Sequence, residues 1–408
     1  MSGIAFTFHY KTWSLGWTFH STAPPLYTRL CHTGGMTTTP STDELSAWIR
    51  LSLEPGLGAV QARHLLAAIG LPQDIYALSA ASLAKVIPHD LARQLSRPPD
   101  ERTAQAIERT QEWLKTPGRR VITLADPDYP HTLLDTHDPP ILLYANGRAE
   151  LLNRPAVAIV GARSATPAGL DNAQAFAHHL AARGWCVVSG LAAGIDTAAH
   201  EGALAAGPAG QSTIAVLGTG ADIVYPAANL KLAHRIAREG LLLTEFPLGT
   251  PSLPHNFPRR NRIVAGLARG VLVVEAAKQS GSLITARLAG ELGREVFAIP
   301  GSIHSPMSRG CHALIRQGAK LVESGDDILE ELGARPTSSS NSKPVPAEAE
   351  SGDEDALLAA LGFDPVHADQ IQARTGLDWP ELTRRLLELE LRGLVARLPD
   401  GRHQRQRR

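Results

Sequence analysis

Much of what marks secreted proteins and common enzyme classes is missing from this chain of 408 residues. Three cysteines, Cys31, Cys186 and Cys311, lie far apart with no C-x-x-C pair, so neither a disulfide framework nor a cysteine zinc site is indicated. A reducing cytoplasm is the expected location. No run of 18 apolar residues occurs, which excludes a transmembrane helix by hydropathy. Charge of neither sign prevails: 40 basic residues cancel 40 acidic ones, so any nucleic-acid partner has to be argued from local distribution. There is no G-x-x-x-x-G-K-[ST] loop, no G-x-S-x-G or Cys–His nucleophile, and no histidine or carboxylate cluster at metal spacing. The expectation is a protein with no cofactor and no catalytic residue.

What is present is a globular composition, 43% apolar and 20% charged, at a length that implies two or three domains. The first 35 residues hold seven of the twenty aromatics, yet show no sustained period and no signal-peptide core. Met36 then opens "MTTTPSTDELSAWIRLSL", with Ser41 or Thr42 as a helix cap and acids in the first turn. Met36 is therefore the expected start, and residues 1–42 read as an upstream or disordered extension. Residues 43–118 are helical by pattern, with apolar positions at Leu45, Trp48 and Ile49, then Val60, His64, Leu65, Ala68 and Ile69. Between two of these runs, Pro55-Gly56-Leu57-Gly58 reads either as a plain turn or as a hairpin that aims backbone N–H groups at a phosphate.

Residues 119–332 change texture. Six continuous apolar runs are strand candidates: "AVAIVG" (156–161), "WCVVSG" (185–190), "TIAVLG" (213–218), "LLLTEF" (241–246), "VLVVEA" (271–276) and "EVFAIPG" (295–301). Continuous runs separated by amphipathic ones indicate a parallel, doubly wound α/β sheet, whose ligands bind outside the carboxyl ends of the strands. Residues 333–355 are a Ser-, Pro- and acid-rich linker. Residues 356–408 fit short helices and a β-wing, with a Gly376 turn, Asp378 as cap and Pro380 in the next helix's first turn; six arginines fall between 392 and 408.

The strand-end loops carry the functional signal. In "VGARSATPAG" Arg163 stands where a dinucleotide fold needs its second glycine, which makes a nicotinamide site a poor fit and offers a cation for an anion instead. "SGLAAGIDTAAHEGAL" supplies Gly190 and Gly194 ahead of a helix, an anion nest by pattern, and "LGTGADIVYP" repeats the device with Gly218 and Gly220. Ser280, Gly281 and Ser282 open a further helix. Asp196 and His200 stand four apart, but with no nucleophile nearby a structural hydrogen bond is the preferred reading. Glu245 and Glu275 end strands, as general bases or as groups that orient arginines. The densest cluster is "HNFPRRNRIVAG" (255–266), expected as a loop after "LLLTEF", with Phe257, Arg259, Arg260, Asn261 and Arg262 held together.

These runs, together with "SGSLITARLA" and "REVFAIPGS", closely resemble the bacterial DNA-processing protein A family (DprA/Smf), from about residue 43 onward. The resemblance implies an extended Rossmann domain flanked by a SAM-like helical domain and a winged helix. It also implies a homodimer that binds single-stranded DNA without turnover, shields incoming DNA in natural transformation and loads the RecA recombinase. By likeness of motif, the strand pocket would draw on Arg163, Ser189, Gly190, the segment from Phe257 to Arg262, and Ser280 to Ser282. One of the arginines is expected to pair inward with Glu245 or Glu275, and Glu in place of Arg163 or Arg262 to abolish binding without affecting folding. Two other readings stay open: a LOG-like nucleotide phosphoribohydrolase on the same type of fold, and a duplex-binding regulator acting through the winged helix.

Overall fold

The computed structural model describes residues 41–207, 210, 212–333 and 352–406. The upstream extension as far as Pro40 and most of the 333–355 linker lie outside the described residues. Ser41 caps the first helix, Thr42–Leu53, its hydroxyl accepting from Glu44 N at 3.2 Å, and Trp48, Ile49 and Leu51 are buried. The helix Ala59–Ala68 is rotated from its expected phase: Val60 and His64 are exposed, whereas Ala62, Leu65 and Leu66 are buried. A three-four spacing fits more than one stripe, and the packing partner chooses among them.

Nine strands form one sheet: β1 (Arg119–Thr123), β2 (Leu142–Gly147), β3 (Ala156–Val160), β4 (Cys186–Ser189), β5 (Thr213–Val216), β6 (Leu241–Thr244), β7 (Gly270–Val273), β8 (Glu295–Ala298) and β9 (Lys320–Leu321). Their spatial order is β1-β2-β6-β5-β4-β3-β7-β8-β9. From β6 to β9 all neighbours are parallel, and β1 and β2 add an antiparallel edge beside β6. All six apolar runs became strands. β3 to β7 are buried at every position, which is why their sequences do not alternate. The strands beyond those six lack that signature: β1 starts on two arginines, β2 ends on Asn-Gly and β9 is two exposed residues.

The sheet winds outward in both directions from its centre. From β3 the chain proceeds through β4 and β5 to β6, then returns to β7 on the other side and continues to β8 and β9. The point between β3 and β7 is thus a topological switch, where helices on opposite faces leave a crevice above the strand ends. Val157, Ile159, Val187 and Leu272 anchor this centre against Ala173, Ala177 and Leu180 of the helix Pro167–Ala182.

At the carboxyl end, the helices Gly352–Leu361, Ala368–Thr375 and Trp379–Leu391 precede a hairpin of β10 (Val395–Arg397) and β11 (His403–Arg405). Gly376 takes a left-handed φ of 69° after the second helix, and Asp378 caps the third, accepting from Glu381 N at 2.9 Å. Among the described residues no helix is long and apolar enough to cross a membrane.

Candidate nucleic-acid interface

A cleft of about 640 Å³ opens over the switch point. The turn after β3 brings Gly161 and Arg163; the turn after β4 brings Gly190, Ala192 and Asp196; the turn after β7 brings Ser280, Gly281 and Ser282. Thr166 caps the helix Pro167–Ala182, accepting from Gly169 N at 3.0 Å. It also ties that helix to β7, because Thr166 N and Oγ1 both donate to Glu275 at 2.9 and 2.6 Å. Glu275 is thereby a structural clamp rather than a base or a partner of arginine. The Gly190–Gly194 turn is held in an unusual shape. Leu191, φ 57°, and Gly194, φ 78°, both adopt positive φ, and the Asp196 carboxylate accepts from Gly190 N and Ala192 N at 3.1 and 3.3 Å.

The fourth wall is "HNFPRRNRIVAG", which is a helix, Asn256–Leu267, and not the expected loop. Pro258 falls in the first turn, where backbone N–H groups lack intrahelical partners, so it does not interrupt the helix. Its apolar half, Ile263 to Leu267, is buried. Phe257 packs on the turn after β5: a Cβ on Gly218 would lie 2.9 Å from the ring. Asn256 Nδ2 donates to Gly218 O at 3.1 Å and fixes the same turn from below.

The three arginines of this helix point in different directions. Arg260 is buried, and its guanidinium donates to Gly190 O at 2.5 Å and to Val216 O, crossing beneath the ends of β4 and β5. Burial lowers its pKa to about 10, with Asp196 opposing, so it remains a cation at neutral pH. Arg262 is also buried; it pairs with Glu245 and with Asp138, and donates to Asp138 O at 2.7 Å. Arg259 is exposed on the far side and pairs with Glu245 at 3.1 Å. Two arginines, not one, therefore meet Glu245, and none meets Glu275. Asp196 and His200 do not pair with each other: His200 Nδ1 lies 2.7 Å from Thr213 Oγ1, and burial pushes its pKa down to about 3.

The cation facing the cleft from outside is Arg163. It is exposed, with its guanidinium carbon 5.8 Å from the Phe257 ring centre. Tyr225, 46% exposed, stands 5.5 Å from the same ring at 46°. Among the described residues that line the cleft, Arg163 is the exposed cation at an aromatic mouth, and Arg260 lies buried beneath it beside Asp196.

Comparison with known proteins bears on the whole of this arrangement. The family model for the DNA recombination-mediator protein A matches residues 120–333. The chain belongs to that family. A DprA winged helix domain model matches residues 341–401. Protein Smf of Escherichia coli strain K12 is 43% identical over 303 residues, which cover 73% of this chain and 80% of that protein. DNA processing protein DprA of Streptococcus pneumoniae is 47% identical over 223 residues, 55% of this chain and 77% of that protein. The X-ray structure of DprA from Streptococcus pneumoniae aligns with a TM-score of 0.60 at 36% identity, covering 72% of this chain and 99% of that one.

In this chain the motif residues separate into two groups. Arg163, Gly190, Phe257, Arg260, Asn261, Ser280, Gly281 and Ser282 line the cleft. Ser189, Gly194, Gly218, Gly220, Arg259 and Arg262 do not. Ser189 is buried and donates to Ile159 O at 2.7 Å. Gly220 N donates to Thr250 O at 3.0 Å, which leaves the third turn serving packing rather than an anion nest. Tyr225 and Leu191 carried no functional signal in sequence: the first reads as a loop closer, and nothing about a leucine announces a positive φ.

Gly194 acts from behind the wall. Its φ is positive, and a Cβ there would overlap the carbonyl oxygens of Ala162 and Arg163, joining the first two turns. Gly194→Ala is expected to lower stability by about 2 kcal/mol and to weaken ligand binding as the turns separate. Urea denaturation beside a binding titration checks it; a wild-type midpoint would remove the steric account.

Proposed function

We propose that this family member binds single-stranded DNA in the cleft above β3, β4 and β7, and holds it without turnover. The observation that carries this reading is the pairing of Arg163, a cation with no ion pair among the described residues, with the rings of Phe257 and Tyr225 at one open mouth. A backbone phosphate suits the cation and the N–H groups of the turns, and an unpaired base suits the rings. In a duplex the bases are stacked inside and their faces are not offered to a protein ring.

The absence of turnover is supported by what the ionisable groups already do. Asp196 is occupied by two backbone N–H groups beside Arg260, His200 is buried against Thr213, and Glu275 is bound to Thr166. None is free to move a proton on a bound nucleotide. In the winged helix, Arg384 and Arg385 both pair with Glu381 at 2.8 and 2.7 Å, which does not favour a third helix that grips a duplex. Shielding of incoming DNA, loading of RecA and a homodimeric state rest on the family likeness, where relatives carry the name DNA processing protein.

The test is a salt-titrated comparison of oligonucleotides. A single strand is expected to bind more tightly than the same sequence as duplex, with affinity falling steeply as salt rises. No base should be released from AMP. Equal or tighter duplex binding sinks the proposal, and steady AMP turnover replaces it with a phosphoribohydrolase.

A further inference from the structure

We infer that Asp196 is a positioning residue: with Arg260 it locks the turn after β4 in the shape that keeps the cleft open to a strand, an inference that rests on the single-strand reading above. An acid is out of place in the wall of a cleft that takes a polyanion, because an ionised carboxyl repels phosphate. Burial also raises the carboxyl above its ordinary pKa range, opposed by Arg260 and by the N–H groups of Ala192 and Gly190. Its contacts show what offsets these costs.

Side chains hold this turn. Gly190 is gripped from both sides: its N–H donates to Asp196 at 3.1 Å, and its carbonyl accepts from Arg260 at 2.5 Å. No side chain fits at 190, because a Cβ would lie 2.5 Å from the Arg260 guanidinium. Ala192 N donates to Asp196 at 3.3 Å, and Ala192 O accepts from Thr197 Oγ1 at 2.8 Å. Between them Leu191 O accepts from Asn229 Nδ2 at 3.0 Å. The carbonyl oxygens of 190, 191 and 192 are thus each taken by a side chain, which keeps their negative ends occupied beside a site for an anion. Leu191 is fully buried at φ 57°, a conformation a leucine keeps only where its surroundings impose it. Asp196 supplies that constraint by bonding the N–H groups on either side of Leu191. Without the bridge Leu191 relaxes towards negative φ, and the wall that Gly190 and Ala192 give the cleft moves with it. Asp196 is 7% exposed, so it acts on a strand through the turn it shapes.

The experiment titrates a labelled oligothymidylate of about 20 nucleotides with the full chain as wild type, Asp196→Ala, Asp196→Asn and Thr197→Val. Urea denaturation gives the folded fraction, and amide hydrogen exchange reports on the turn. Folded Asp196→Ala is expected to bind about tenfold more weakly, as follows if its turn is competent about one-tenth of the time. Its salt slope should match wild type, because no phosphate contact is lost. Asp196→Asn keeps an oxygen that accepts from the two N–H groups and should recover part of the loss. The amides of Gly190 and Ala192 should exchange faster in Asp196→Ala while those of β4 and β5 keep their protection. If the acid were only a charge beside the strand, both substitutions would leave affinity unchanged or tighten it, and that result overturns the inference. Should Asp196→Ala not fold, Thr197→Val decides. It releases Ala192 O from a position outside the cleft, without a change of charge, and is expected to lose about threefold; wild-type affinity there overturns the inference. The exchange measurement needs no DNA, so a wild type that binds no strand defeats the single-strand reading alone.

Discussion

Arg262→Ala lowers the melting temperature by about 10 °C, and whatever DNA affinity it loses follows the unfolded fraction. The side chain lies inside the molecule, between Glu245 at the end of β6 and Asp138 ahead of β2. Glu245 is itself only 5% exposed, so removing Arg262 leaves a buried carboxylate with Arg259 as its remaining partner. Breaking a buried pair from one side costs about 3–5 kcal/mol. For a body of this size each kcal/mol moves the transition by about 2–4 °C. The double variant Arg262→Met with Glu245→Gln should recover much of the loss, because no charge is then stranded. Calorimetry and urea denaturation of the three proteins check the set. A melting temperature at the wild-type value, with DNA binding gone, would return Arg262 to the phosphate-contacting role its place in the motif first suggested.

Arg163→Glu has the opposite profile. The side chain is exposed with no ion pair among the described residues, so its removal should change stability by no more than about 0.5 kcal/mol. Single-strand affinity should fall by about 100-fold. A charge-assisted contact to phosphate contributes about 1.5–3 kcal/mol, and the substituted carboxylate adds repulsion above the same cleft. Arg163→Ala separates these: it should lose about tenfold and reduce the salt slope by about 0.7, the share of a single phosphate. Anisotropy titrations at several salt concentrations give both quantities. An Arg163→Glu protein that binds at wild-type strength moves the strand away from this cleft, whatever its stability.

The contrast between the two arginines shows where reading the motif reached its limit. Arg163, Arg259, Arg260 and Arg262 were all candidates for the phosphate, with one of the last three expected to pair inward, because composition and position say only that a cation is near the strand ends and not which one turns away. In a helix, adjacent residues are about 100° apart, so Arg259, Arg260 and Arg262 face different surroundings. Reading the segment as a loop concealed that constraint. The glycines show the same limit. Gly190 and Gly194 shape the wall of the cleft, while Gly218 makes room for the Phe257 ring and Gly220 for the backbone near Pro247. A glycine in sequence announces a close approach, not which atom approaches.

The sequence by itself determined the α/β class, the six buried strands, the cap at Asp378, and family membership. Those features depend on local pattern: continuous apolar runs, capping residues at fixed offsets, and motifs long enough to be specific. Only the tertiary structure decided the helical form of 255–266, the phase of Ala59–Ala68, the antiparallel edge of β1 and β2, and the division of arginines between core and cleft. Each of these is set by what a residue packs against, often more than 100 positions away, as with Arg262 and Asp138, 124 residues apart. Burial fixes whether a guanidinium supports the fold or remains free for an anion, and burial is a property of the assembled sheet rather than of any segment of it.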